Sequence, residues 1–263
     1  DGSLQMGGAI LFFSGFPVVA GHNFHTTFCA MQTLRPRNAD DEGGWTRRDT
    51  KLGALLCALS ATAEALMQSG LPTVIFTEPP SPAYLKHHFP LLQAVGISGT
   101  ARTLPTAVIK QSLTPVFLAM ESYKSPIYVY KVCSTFDSSA QVGNIGKAIE
   151  LGIEIFSPDF VPVLPAAPKL GRYTVFGNHF AAMGSGDIFR LDRHPSISNH
   201  PVTPMKEAAL LRHLAKQTDL KSGLINILDI VPPTSEGTST TALSVSSSST
   251  FCFFSIVSPS ETR

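Results

Sequence analysis

A chain of 263 residues with 43% hydrophobic side chains can bury a substantial core, so it is not disordered as a whole. Its 20 basic and 19 acidic residues leave a net charge of +1, which excludes a global pull toward nucleic acid or an anionic membrane. Cys29, Cys57, Cys133 and Cys252 lie far apart with no CxxC pair, a spacing that predicts reduced thiols in a cytoplasmic protein rather than a disulfide framework or a zinc site.

Residues 1–50 are left unassigned. Gly7 to Ala20 is apolar but broken by Gly15 and Pro17 and too short for a bilayer helix. His22 and His25 stand three apart in a stretch that does not read as a helix, so no metal site is expected.

Lys51 to Cys57 reads as a short buried strand, and Ala58 to Gln68 as a helix ended by Ser69-Gly70. Leu71 to Thr77 is the next strand, giving a β-α-β unit with a parallel pair. Glu78 to Pro82 is a stiff turn, and Tyr84 to Pro90 a short helix or loop whose His87 and His88 read as solvated surface. Leu91 to Ser98 is a third strand, and Arg102 follows it at the strand exit. A guanidinium there suits bidentate binding of carboxylate or phosphate, against the alternative of a structural ion pair.

Ala107 to Tyr123 carries Ile109, Leu113, Val116, Phe117 and Met120 at helical spacing. Ile127 to Val132 then reads as a strand buried on both faces, ending in Lys131, a cation that needs an acid or a ligand. The loop Cys133-Ser134-Thr135-Phe136-Asp137-Ser138-Ser139 leads to Gly143-Asn144-Ile145-Gly146 and a helix from Lys147 to Gly152. A polar loop between strand end and helix start is where open α/β sheets bind ligands, and the helix start offers donors to an anion. Capping explains Ser, Asp and Asn here equally well.

Ile153 to Pro168 is expected to form an edge strand and an extended loop, and Arg172 to Phe180 a strand or hairpin arm containing His179. Thr203 and Pro204 look like the cap and first residue of a helix running from Met205 to about Gln217, with His200 just ahead of it. Gly223 to Ile230 is the last strand. Thr234 to Thr250 has 12 Ser or Thr in 17 residues, which marks 232–263 as a disordered tail.

Four ordered blocks resemble the four-carbon acid sugar kinases. Lys131-Val132-Cys133-Ser134-Thr135-Phe136-Asp137-Ser138 with Gly143-Asn144-Ile145-Gly146 is similar to that family's K-x-C-S-T-F-D-S-x-x-x-x-G-N-I-G block. Val95 to Thr103, Gly171 to Phe180 and Asn199 to Met205 are similar to its V-G-x-x-G-T-A-R-S, G-R-T-V and N-H-P-L-T-P-M segments. The resemblance implies an α/β, three-layer Rossmann-like domain with a mainly parallel sheet over 51–231, the sugar-binding half of a kinase for acids such as 3-oxo-tetronate or threonate. It further implies ATP and Mg²⁺, held by a second domain. No GxxxxGK[ST] loop occurs in this sequence.

The family's D-D-F-T-G motif falls on Cys57-Ala58-Leu59-Ser60-Ala61, where both carboxylates are missing. No catalytic residue is therefore assigned. Arg102, Lys131, Ser134, Asp137, Asn144 and His200 are the candidate substrate-binding residues. The expected partner is a small-molecule sugar acid, with no nucleic acid or membrane, and a homo-oligomer is left open. A non-catalytic relic that binds a metabolite or a partner chain is the competing reading. A hydrolase built on Ser134, Asp137 and His200 ranks last, since no GxSxG elbow is present.

Overall fold

The computed structural model describes residues 62–125, 127–158 and 161–226, together with the backbone of 9–13 and 251–254. Residues 14–61, which hold Cys57 to Ala61, His22 and His25, lie outside the described set. The chain divides into two compact units, one running up to Leu104 and resuming over Gln111–Cys133, the other comprising Pro105–Lys110 and the chain from Ser134.

In the first unit, strand β1 (Ala9–Phe13) precedes helix α1 (62–68), which ends at Gly70 with φ of +82°, a left-handed turn that suits glycine. Strand β2 (Thr73–Phe76) is followed by helix α2 (Pro82–His88). Ser81 caps α2 by accepting from the Tyr84 amide at 3.1 Å, and Pro82 occupies its first position. Strand β3 (Ala94–Ser98) is buried nearly throughout and runs parallel to β2. After it come helix α3 (Thr106–Ser122) and strand β4 (Ile127–Lys131).

The sheet order is β2-β3-β1-β4, with β1 antiparallel to both its neighbours. This sheet is mixed rather than mainly parallel. The inserted strand comes from the N-terminal segment, which no periodicity or motif had placed. Strand β4 is half-buried along its length instead of covered on both faces. Leu66 and Ala94 form a core cluster against Leu71, Ile75 and Val129, while Phe117 of α3 meets Tyr130 edge-on at 6.2 Å. The stripe Ile109, Leu113, Phe117, Met120 is buried, as its spacing predicts.

The second unit is α/β as well. Helix α4 (Ile145–Phe156) is longer than expected and ends at Ser157 in the left-handed region. The span Arg172 to Phe180, read as one strand or hairpin arm, is instead two: β6 (Arg172–Val175) and β7 (Asn178–Ala182) form a hairpin, extended by β8 (Ile188–Arg190). Phe176 and Gly177 join β6 to β7 with φ of +47° and +76°, as a type I′ turn requires of both central residues.

A three-stranded parallel sheet has the order β5 (Val161–Val163), β10 (Phe251–Phe254), β9 (Ser222–Ile225). The apolar stretch Phe251–Phe254, assigned by composition to the tail, is thus its middle strand. The rest of 232–263 lies outside the described residues.

The helix expected over Met205–Gln217 shrinks to α5 (Leu210–Leu214). The segment before it is extended because it pairs elsewhere: the His179 amide donates to the Ala208 carbonyl, and the Leu210 amide to the Gly177 carbonyl, both at 2.9 Å. Met205 and Ala208 are fully buried beside Ala181 and Leu191.

Gly146 marks the tightest helix contact. A Cβ there would lie 2.9 Å from the Gln217 backbone and 2.9 Å from the Thr218 side chain. Gly146→Ala is therefore expected to cost about 1–3 kcal/mol by overpacking. Urea titration should show a lower midpoint at unchanged m; an unchanged midpoint would mean the contact yields freely.

Candidate functional site

The loop from Ser134 to Gly146 is held by four side chains that come later in the sequence, His179, Thr203, His213 and Gln217. His179 is fully buried; its Nε2 lies 2.8 Å from the Ser134 carbonyl and its Nδ1 2.7 Å from the Thr174 hydroxyl. A carbonyl only accepts, so Nε2 carries the proton and Nδ1 accepts from Thr174. Burial lowers the His179 pKa to about 4, with the Arg172 charge pushing the same way and the Ser134 bond opposing. His179 is a structural histidine, satisfied at both nitrogens.

Gln217 closes the start of α4. Its Oε1 accepts from the amides of Ile145 at 2.8 Å and Gly146 at 3.4 Å, while its Nε2 donates to the Ser138 hydroxyl at 2.8 Å. Asn144 takes the remaining amide: its Oδ1 accepts from Lys147 at 2.7 Å, and its Nδ2 donates to the Ala140 carbonyl at 3.3 Å. The donors that the sequence offered to an anion are thus all occupied. Asn144 is a helix cap, worth about 1 kcal/mol. Gly143 at φ of +61° turns the chain into it.

Ser138 also donates to the Phe136 carbonyl and lies 3.0 Å from Nε2 of His213, whose pKa burial lowers to about 4. Phe136 is fully buried at φ of +53°, a strained conformation for a bulky residue. The surrounding bonds hold it there.

Asp137 is only 4% exposed. Its Oδ1 accepts from the Thr135 hydroxyl at 2.6 Å and its Oδ2 from the Thr203 hydroxyl at 3.0 Å. His200 stands on the other side of Thr203, with Nδ1 facing the Thr203 amide at 3.0 Å. His200 closes a 3-10 turn (Ile197–Asn199) instead of preceding a helix. The structure thus joins Asp137 to His200 through Thr203. It gives Ser134 a structural part through its carbonyl, and Asn144 one through its cap. The described residues show no bond between the Ser134 hydroxyl and His200, and the Ser138–His213 pair is buried, so the geometry gives the hydrolase reading of Ser134, Asp137 and His200 no support.

Arg102 and Lys131 belong to the first unit. Arg102 lies in a 3-10 turn (Ala101–Thr103) after β3, and Lys131 ends β4 with its Nζ donating to the Val132 carbonyl. Burial lowers the Lys131 pKa; Cys133 opposes that, and the positive charge of Arg102 adds to it. The two cations therefore feel each other beyond β3 and at the end of β4, two strands separated by β1, and a bound anion would relieve that repulsion.

Sequence reasoning missed Thr135, Ser138, His194, Thr203, His213 and Gln217. The visible signal was the His-Pro dipeptide, present twice. His194 Nδ1 accepts from the amides of Ser196 and Ile197 at 3.3 Å each, and His200 Nδ1 from those of Val202 and Thr203. Proline in the second position has no amide and a fixed φ, so the next two amides turn back on the imidazole. Among the described residues no cluster of His, Cys, Asp and Glu could hold a metal, and no helix is long and apolar enough to cross a membrane.

With this geometry in view, comparison with known proteins is decisive. Residues 60–250 match the sugar-binding N-terminal domain of the four-carbon acid sugar kinases. The chain belongs to this family. It is 44% identical over 167 residues to a 3-oxo-isoapionate kinase of Paraburkholderia graminis, covering 64% of this chain and 35% of that one. It is 33% identical over 173 residues to a 3-oxo-tetronate kinase of Haemophilus influenzae, covering 65% and 39%. The match thus spans little more than a third of these relatives. A solved Haemophilus influenzae structure superposes with a TM-score of 0.52 at 27% identity, over 62% of this chain and 38% of that one. A Salmonella typhimurium structure at 23% identity shares the fold, with a TM-score of 0.60 over 73% of this chain and 44% of its own.

The two buried imidazoles set an acid limit. In the unfolded chain they titrate near 6.5, whereas the fold keeps them neutral down to about 4. Between those values the unfolded state binds more protons, so stability falls as pH drops from about 6.5 to 4, by about 1.4 kcal/mol per pH unit per histidine. Urea midpoints measured from pH 7 to 4.5 should decline through that window; a level profile would contradict the neutral assignment.

Proposed function

We propose that this domain binds the sugar-acid substrate of an ATP-dependent kinase, and that the acid is a 3-oxo acid of the kind the relatives' names specify. The family match over residues 60–250 supports this most directly. The higher identity to the 3-oxo-isoapionate kinase, 44% against 33%, favours that acid over 3-oxo-tetronate. The fold in this reading is the three-layer Rossmann-like domain of 51–231, followed by a Ser/Thr-rich tail, in a protein of the cytoplasm.

Arg102 and Lys131 are the carboxylate-binding pair. A carboxylate beside them offsets both the desolvation of Lys131 and its repulsion from Arg102. In the second unit Asp137 orients Thr135 and Thr203, and His200 stands beside Thr203 as the candidate to meet a ligand oxygen. Ser134 and Asn144 act through the backbone they hold. ATP and Mg²⁺ are the family's implied co-substrate and cofactor. The described residues do not fit them: the α4 amides are taken, and no acidic cluster stands ready for the metal among the described residues. No step of phosphoryl transfer is assigned to these residues.

A second reading rests on the motif resemblance, which, laid without gaps, puts Cys57-Ala58 in place of two family aspartates. In that case the chain is a sugar-acid-binding or partner-binding module without turnover. Calorimetry with 3-oxo-isoapionate and 3-oxo-tetronate, together with an ATP-coupled assay, separates the two readings. Binding is expected for the unmodified chain, and Arg102→Ala or Lys131→Ala should each weaken it by about one to two decades with little change in melting temperature. Binding without turnover favours the module. No binding of either acid would refute the sugar-acid reading itself.

A further inference from the structure

The turn His200-Pro201-Val202-Thr203 fixes more than a position. Two backbone amides, Val202 at 3.4 Å and Thr203 at 3.0 Å, point at Nδ1 of His200. An N–H cannot face another N–H, so Nδ1 carries its lone pair. The Thr203 hydroxyl also lies 3.1 Å from Nδ1, but its single proton goes to Oδ2 of Asp137 at 3.0 Å. The anionic acceptor makes the stronger bond. Both observations leave the imidazole proton on Nε2. That nitrogen makes no hydrogen bond to any described residue, and the side chain is half-buried.

We propose that His200 is a tautomer-locked donor, presenting Nε2–H to an acceptor-only oxygen of the ligand, the 3-oxo group or the carboxylate, and that it is a specificity residue and not a general base. Asp137 and Thr203 are positioning residues in this scheme: the carboxylate orients the hydroxyl, and the turn orients the ring. The proposal rests on the sugar-acid reading above for the identity of the ligand, but not for the state of the ring. His194 makes the same turn and gives an internal comparison, since its Nδ1 accepts from two amides in the same way. His194 is 4% exposed, so its turn is buried structure, whereas His200 has an accessible edge.

Two measurements test this. Long-range ¹H–¹⁵N correlation on the unmodified, ligand-free chain at neutral pH reads the tautomer; His200 should show a protonated Nε2 and an unprotonated Nδ1. A protonated Nδ1 overturns the proposal, whatever the chain binds. The second is binding of 3-oxo-isoapionate and 3-oxo-tetronate to His200→Gln, whose amide nitrogen reaches the place of Nε2, and to His200→Asn, whose amide reaches only the place of Nδ1. The Gln variant should stay within about threefold of the unmodified chain, and the Asn variant should lose about tenfold or more. Equal losses in both variants, with melting temperatures preserved, overturn the donor role while leaving the sugar-acid reading intact. Absence of binding by the unmodified chain overturns the ligand assignment along with that reading.

Discussion

The amide of Gln217 is the interaction on which the motif loop depends. One side chain accepts from two amides at the start of α4 and donates to Ser138, which in turn meets the Phe136 carbonyl and His213. Gln217 is 8% exposed and Ser138 1%, so none of these groups can turn to water instead. Removing the amide would strand buried amides and a hydroxyl, at about 1–3 kcal/mol for each group left unsatisfied. The glycine at 146 is the steric side of the same constraint, because only a residue without Cβ lets α4 approach the Gln217 backbone.

This alters how a block such as Ser134 to Gly146 should be understood. Small hydroxyls, a carboxylate and glycines before a helix suggest a ligand cradle, and a phosphate-binding loop has much the same composition. Here the hydroxyls and amides are turned inward and spent on one another. Gly143 supplies a left-handed turn, Asn144 a cap, Gly146 a close contact, and Asp137 a buried acceptor for two threonines. The strain at Phe136 is tolerable because His179 pins the Ser134 carbonyl on one side while Gln217 and His213 pin Ser138 on the other.

What the sequence made legible was local. The spacing of Ile109, Leu113, Phe117 and Met120 predicted α3, whereas Ser81-Pro82, read as part of a turn, proved to be the cap and first residue of α2. Arg172 to Phe180 was legible as strand, but not its turn at Phe176-Gly177. The larger misses share one cause: each depends on partners far away in the chain. Met205 to Ala209 has helical composition, yet β7 and the hairpin turn take its hydrogen bonds, and pairing of that kind outweighs propensity. The α4 amides look open until Gln217, more than 70 residues later, is seen to fill them. The mixed order of the first sheet depends on a strand from the N-terminal segment, where no motif or periodicity gave a foothold.

Subtracting the groups that the fold consumes sharpens the chemistry that is left. In the second unit Asp137, Asn144, His179, Ser138 and His213 are committed to internal bonds, which removes most of the general acids and bases from consideration. What the second unit keeps is the Nε2 edge of His200, which makes no hydrogen bond to any described residue. An edge of this kind, with the acceptors around it spent inside the fold, is what the donor role proposed for His200 needs. Recognition by hydrogen-bond donation needs no proton transfer, so the role proposed for His200 is independent of any part in phosphoryl transfer.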